Sequence, residues 1–168
     1  MTFAPIGAGD LVGHPGVTRE ISVRGTVEGL GTDVAGVPGE IDADVRLESV
    51  IQGILVSGRL TGVFSLRCAR CLDGFERPFA LDVSELLVVG PLSDPDWYEL
   101  GPEGEIDLGP MIVDAIGVEL PFAPLCRLDC LGLCETCGGN RNLSQCPGHE
   151  QLDPRWAGLE VLLERTND

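Results

Sequence analysis

Five cysteines fall within the twenty-one residues from Cys126 to Cys146, spaced Cys126-x3-Cys130-x3-Cys134-x2-Cys137-x8-Cys146, and His149 follows three residues after the last. A separate pair, Cys68-x2-Cys71, lies well upstream. Thiols at this density are an oxidation liability unless they hold something. Met1 to Asp10 lack the basic start and apolar run of a secretory signal, and no stretch approaches the ~20 apolar residues of a bilayer-spanning helix. The expectation is an unexported, cytoplasmic protein without a membrane segment. In a reducing compartment its cysteines serve as metal ligands or redox thiols rather than disulfides.

A CxxC turn can place two thiolates about 2.3 Å from one zinc ion, and tetrahedral structural sites usually draw two such pairs from separate parts of the chain. Seven cysteines and His149 make eight ligands, enough for two closed sites, so one or two structural Zn2+ ions are expected. The preferred partition puts Cys134, Cys137, Cys146 and His149 in one site, with Gly138 and Gly139 allowing the tight turn. Cys68 and Cys71 then join Cys126 and Cys130 in the other. A competing partition groups Cys126, Cys130, Cys134 and Cys137 and leaves Cys68 and Cys71 as a reduced or redox-active pair. Taken alone, Cys68 and Cys71 also read as buried small apolar residues, and His149 as an exposed histidine. His14, in a glycine-rich arm, reads as a surface residue.

Hydrophobic periodicity supplies the frame for these ligands. Ile41, Ala43, Val45 and Leu47 alternate with Asp42, Asp44, Arg46 and Glu48, as a sheet wet on one side requires. Thr18 to Val27 shows a weaker alternation, and Gly31 to Glu40 reads as a loop. Ile54, Val56, Leu60, Phe64 and Leu66 share a face with Gly58, Gly62 and, continuing the count, Cys68. Phe75, Phe79, Leu81 and Val83 alternate again, so two antiparallel strands meet at the turn carrying Cys68 and Cys71. Pro78 cannot donate a ladder bond and favours an edge position for the second strand. Residues 90 to 105 form a long acidic loop. Asp107 is a plausible cap for a helix bearing Leu108, Met111, Ile112, Ala115, Ile116 and Leu120, which Pro121 stops. Asp153, Pro154, Trp156, Leu159, Leu162 and Leu163 predict a short final helix. The fold expected is α+β: an antiparallel sheet of four or more strands with one covering helix (18–125), preceded by a lead-in arm (1–17) and followed by a cysteine-rich zinc module (126–168).

Net charge is −16, and all 11 basic residues are arginine. Such an acidic chain repels phosphate backbones in general. The balance is locally positive between Arg59 and Arg77, whereas Pro78 to Leu125 contains no basic residue and ten carboxylates. Those carboxylates read as a solvated surface or as a mimic of a polyanion for a basic partner. No G-x-S-x-G, H-E-x-x-H, phosphate-binding glycine loop or zinc-deaminase pattern occurs. Cys68 and Cys71 in a β-turn also lack the helix N-terminus that activates thioredoxin-type thiols. The protein is therefore expected not to be an enzyme, and no small-molecule substrate is foreseen.

The order of elements carries a resemblance: a hairpin with RCARCL, an acidic loop, EIDLGPMIVDAIGVELPFAPLC, then CRLDCLGLCETCGGN and HEQLDPRWAGLEVLL. Across roughly Gly16 to Leu163 the chain resembles the bacterial YceD-like family, the large-subunit ribosomal RNA accumulation proteins. The resemblance implies a ribosome-biogenesis factor that supports accumulation or processing of 23S rRNA, with large-subunit rRNA or ribosomal proteins as partners. Under direct RNA contact, Arg67, Arg70 and Arg77 are the natural candidates, joined by Arg127 if Cys126 shares their site. Under protein contact, the acidic surface engages a basic ribosomal protein. Two other classes are a zinc-dependent adaptor unrelated to ribosomes and a thiol-disulfide redox protein using Cys68 and Cys71.

Overall fold

A computed structural model describes residues 3–90, 97–144 and 146. The expected final helix and His149 lie outside the described residues. The chain runs β1 (Ile6–Gly7), β2 (Thr18–Gly25), β3 (Ala35–Gly36), β4 (Ile41–Val50), β5 (Gly53–Arg67), β6 (Gly74–Val88), β7 (Tyr98–Glu99), β8 (Glu105–Ile106) and α1 (Gly109–Glu119). One six-stranded sheet has the order β2-β4-β5-β6-β7, with β3 beside β5, and β1 pairs β8 in a two-stranded sheet. The main sheet is antiparallel except for β7, which runs parallel to β6 over two residues, so it is mixed where a purely antiparallel sheet was expected. A pairing that short leaves no alternation in the sequence to announce it.

Alternation decides the two faces. In β4, Ile41, Ala43, Val45 and Leu47 are buried, and in β5 Ile54, Val56, Leu60, Phe64 and Leu66 continue the same layer. The wet face is tied by cross-strand pairs between directly opposed residues. Arg24 Nε donates to Asp42 at 2.5 Å, Ser22 to Asp44 at 2.5 Å, and Arg59 Nε to Asp82 at 2.8 Å. Between sheet neighbours the glycines of β5 make close approach possible. A Cβ on Gly58 would lie 2.2 Å from the Asp44 carbonyl oxygen, and one on Gly62 would meet the Phe79 ring at 2.7 Å.

The helix α1 closes the core with Leu108, Met111, Ile112, Ile116 and Leu120, the face its periodicity predicts. Its cap differs by one residue from expectation. Leu108 is the N-cap, and the Asp107 carboxylate accepts the Gly109 N–H at 2.8 Å from one position earlier. Leu120 is extended at φ −62° and ψ 121°, as the residue before Pro121 is driven to be. The segment read as a lead-in arm brings Phe3, Ala8 and Leu11 into the core, and buried Ser49 donates to the Leu11 carbonyl at 2.6 Å. The loop 31–40 likewise contains β3, held opposite Ser65 and Leu66 near the far end of β5. No helix among the described residues is long and apolar enough to cross a membrane.

Candidate metal centres

β5 and β6 are fifteen residues each, and their shared turn stands beyond the rest of the sheet. In that turn the Cys68 N–H bonds to the Asp73 carbonyl and the Leu72 N–H to the Cys68 carbonyl, both at 2.9 Å. Leu72 takes the left-handed conformation, φ 62°. The Cys134–Cys137 turn repeats the pattern: Cys134 N–H to the Gly139 carbonyl at 2.8 Å and Gly138 N–H to the Cys134 carbonyl at 2.9 Å, with Gly138 at φ 70°. Each turn thus folds its first cysteine back over the N–H groups that follow it.

The sulfurs of Cys68, Cys71, Cys126 and Cys130 lie within 4.8 Å of one another, as do those of Cys134, Cys137 and Cys146. Cys68 and Cys130 are 3.8 Å apart and Cys71 and Cys126 3.7 Å. Four thiolates at 2.3 Å around one tetrahedral zinc ion would be about 3.8 Å from each other, the separation these two pairs already have. In the second group Cys146 is 3.8 Å from Cys137 and 3.4 Å from Cys134. Cys126 and Cys130 therefore gather with the hairpin pair, and Cys134 and Cys137 with Cys146. The alternative set of Cys126, Cys130, Cys134 and Cys137 is not brought together.

The surroundings suit anionic sulfur. Burial pushes the Cys68 thiol up, but N–H groups of Cys126, Cys71 and Arg70 outweigh it and bring the thiol down to about 6. At Cys134 the N–H groups of Cys137 and Thr136, with the Cys146 thiol, bring it to about 6 as well. Cys71 goes the other way. The Asp73 N–H lowers it, yet burial, the Cys68 and Cys130 sulfurs and the Asp73 carboxylate together push it up to about 12. Desolvation and neighbouring thiols also raise Cys126. A group that holds one ready thiolate beside thiols reluctant to ionise together is arranged for a cation to complete it.

Polar side chains that spacing alone did not single out knit the two groups together. Asn142 accepts from the Leu131 N–H at 2.9 Å and from Arg127 at 2.7 Å, while its own amide nitrogen lies 3.4 Å from the Cys130 sulfur. Asn140 donates to Asp73 in the hairpin turn at 2.8 Å. The only hint in the sequence is the turn-rich GGNRN run, where asparagine commonly bonds nearby backbone.

The four arginines considered for RNA divide. Arg70 Nη1 donates to the Cys130 carbonyl at 3.0 Å, and Arg77 Nη2 to the Leu125 carbonyl at 3.1 Å with its guanidinium 5.5 Å from the Phe75 ring centre. Arg127 bonds Asn142 and faces Asp129 at 3.4 Å. Arg70 and Arg77 hold the cysteine segment against the hairpin, and Arg127 braces that segment internally. Arg67 is exposed and its guanidinium has no hydrogen-bond or ion-pair partner among the described residues, at one wall of an open cleft of about 850 Å³ that Glu28 and Asp33 also line.

Sheet, covering helix and two thiol groups define a β-rich α+β protein with cysteine clusters able to hold metal. The chain belongs to the family described as "Large ribosomal RNA subunit accumulation protein YceD", whose profile matches residues 56–163. It is 40% identical over 135 residues to an uncharacterized protein of Mycobacterium tuberculosis (strain ATCC 25618 / H37Rv), covering 76% of this chain and 64% of that one. An uncharacterized Mycobacterium leprae protein is 37% identical over 129 residues, 73% of this chain and 59% of the relative. The Arabidopsis thaliana "Large ribosomal RNA subunit accumulation protein YCED homolog 1, chloroplastic" is 25% identical over 162 residues, 77% of this chain and 50% of the relative. The chain thus spans less than two-thirds of the length of these curated relatives. No solved structure matches it.

Proposed function

We propose that this protein is a non-enzymatic ribosome-biogenesis factor that supports accumulation of large-subunit (23S) rRNA in the cytoplasm, with zinc held structurally by its cysteines. The observation that carries the reading is the family match, because the matched span takes in all seven cysteines and His149. The all-thiolate donor set of Cys68, Cys71, Cys126 and Cys130 suits zinc, which prefers soft sulfur ligands in closed tetrahedral sites. For the second ion, His149 is the proposed fourth ligand beside Cys134, Cys137 and Cys146.

Protein is favoured over RNA as the direct contact. Arg70, Arg77 and Arg127 each commit a donor to a carbonyl or asparagine within the molecule, which fixes their guanidinium groups and leaves fewer donors for a phosphate. The remaining surface is acidic and suits a basic ribosomal protein. In host cells depleted of the protein, sucrose gradients should show a deficit of large subunits and of 23S rRNA, restored by the wild type but not by Cys71→Ser. Normal gradients with normal 23S levels would remove the reading. Charge reversal at Arg67, the one free candidate, should leave association with large-subunit particles intact; its loss in Arg67→Glu would return the contact to RNA.

A further inference from the structure

Among the described residues, β6 is a sheet edge over most of its length. Its register with β5 is unbroken from Gly74 opposite Arg67 to Val88 opposite Gly53, so its backbone groups alternate strictly between two sides. The Asp73 carbonyl accepts from Cys68 and the Val89 N–H reaches Gln52, which turns odd-numbered residues toward β5. The Val88 carbonyl accepts from Leu100 in the opposite direction, which turns even-numbered residues outward. β7 occupies the outward side only beside Leu87 and Val88. Among the described residues, no strand pairs with the outward N–H and C=O groups of Glu76, Ala80, Asp82 and Ser84, or with the Pro78 carbonyl. Such a row is a template for another strand.

Arg77, held by the Leu125 carbonyl, is the one basic residue of β6, and beyond it the strand carries charge of one sign. The span from Pro78 to Leu125, which builds most of β6 and all of β7, β8 and α1, has no basic residue. Asp82 and Glu85 lie on β6, Glu99 on β7, and Asp114 and Glu119 on α1, which packs beside β6. Arg59 neutralises Asp82 from β5 and Tyr98 donates to Asp114, leaving the other three carboxylates unpaired among the described residues. Leu81 and Leu86 are half-buried and would be covered by the apolar residues of an added strand.

We propose that β6 between Glu76 and Ser84 is a docking edge that takes an extended arginine- and lysine-rich segment of a protein partner as an additional strand. The inference rests on the ribosome-assembly reading for the identity of the partner, while edge and charge stand apart from it. Backbone hydrogen bonds supply affinity, and the carboxylates select a basic segment over a neutral one.

The test uses the full chain loaded with zinc and a ten-residue peptide alternating Lys or Arg with Val or Thr. The peptide should slow amide exchange at Ala80, Asp82 and Ser84 by about tenfold or more, and binding should weaken as salt rises. Ser84→Pro, which removes one outward N–H, should lower affinity at least about tenfold, while Glu20→Pro on the opposite sheet edge should not. Glu85→Lys, which leaves the backbone alone, should lower affinity and flatten the salt dependence, and it decides the matter if Ser84→Pro fails to fold. Absence of protection, protection at β2 instead, or affinity indifferent to Glu85→Lys would overturn the inference. So would a single-stranded 23S fragment protecting these amides where the peptide does not. If the wild type sediments with large-subunit particles while the peptide leaves β6 unprotected, the docking edge fails and the ribosome reading stands. If the peptide protects β6 but the protein never sediments with those particles, the reverse holds.

Discussion

Leu72 is the one non-glycine residue among those described with positive φ, at the position where the sister turn carries Gly138. A side chain in the left-handed region costs of order 1 kcal/mol, and Leu72 recovers little by burial because it is 55% exposed. Leu72→Gly should therefore raise metal-loaded stability by up to about 1 kcal/mol, seen as a higher urea midpoint with unchanged slope. At the neighbouring cysteines protonation sets how tightly metal is held. With Cys71 pushed up to about 12 and Cys126 also raised, both thiols carry protons at neutral pH in the metal-free protein, whereas Cys68, at about 6, does not. A zinc ion bound there would displace those protons, so its affinity should fall as pH falls, by roughly a hundredfold per unit for two protons and more steeply below pH 6 as Cys68 protonates. Calorimetry at pH 7 in buffers of different ionisation enthalpy should report at least two protons released per ion in the first site. Release of none would show that the thiols were already ionised and that the burial argument fails.

Among the elements, legibility followed length. β4, β5 and β6 were readable because a period of two over ten to fifteen residues has no rival explanation, and α1 because five apolar residues repeat at helical spacing. β1, β3, β7 and β8 are two residues each, too short for any period, and their places are set by tertiary contact. Burial of Phe3, Ala8 and Leu11 was hidden for the same reason. The grouping of the cysteines was legible only as alternatives. Spacing says which thiols can share a turn, but not that residues 68 and 130 meet, which depends on where α1 ends. Glycine carried more information than its flexibility suggests, since neighbouring atoms crowd out a side chain at several sheet positions, Gly58 and Gly62 among them. At Gly58 the obstacle is the backbone of β4, with the Asp44 oxygen 2.2 Å and the Val45 Cα 2.6 Å from a Cβ; at Gly62 it is the edge of the Phe79 ring, which can move. Gly58→Ala should cost about 1–3 kcal/mol and more than Gly62→Ala, whereas Gly39→Ala, with nothing within 4 Å, should change stability by less than about 0.5 kcal/mol. Equal losses at positions 58 and 62 would mean that the strands separate as easily as the ring turns.

Across the whole molecule the two thiol groups sit at different structural depths, and this separates what loss of each should do. The first has three buried cysteines and ties the β5–β6 turn to the segment that leaves α1, sixty-two residues from Cys68 to Cys130. A link across so long a stretch removes chain entropy from the unfolded state, and its loss leaves the junction to Arg70, Arg77, Asn140 and the Ala69–Pro124 and Leu133–Arg70 backbone bonds. The second group joins residues 134 to 146 and is half-exposed or exposed, so it closes only a short loop. Structural zinc is typically worth on the order of 10 kcal/mol of folding free energy, but that energy is shared with the sheet only where the ligands are. Cys71→Ser should therefore lower the melting temperature of the sheet itself and speed amide exchange in β5 and β6. Cys137→Ser should lose one equivalent of zinc while leaving exchange at Val56, Leu60 and Val83 within about twofold of the wild type. The sheet core of Leu47, Ile54, Val56 and Leu60 is fully buried without help from either group, so a chelator should leave a folded sheet at low temperature and abolish the ordered hairpin end first. A single cooperative transition, with sheet amides and metal lost together in Cys137→Ser as in Cys71→Ser, would show that the two groups act as one unit and that their different depths have no energetic meaning.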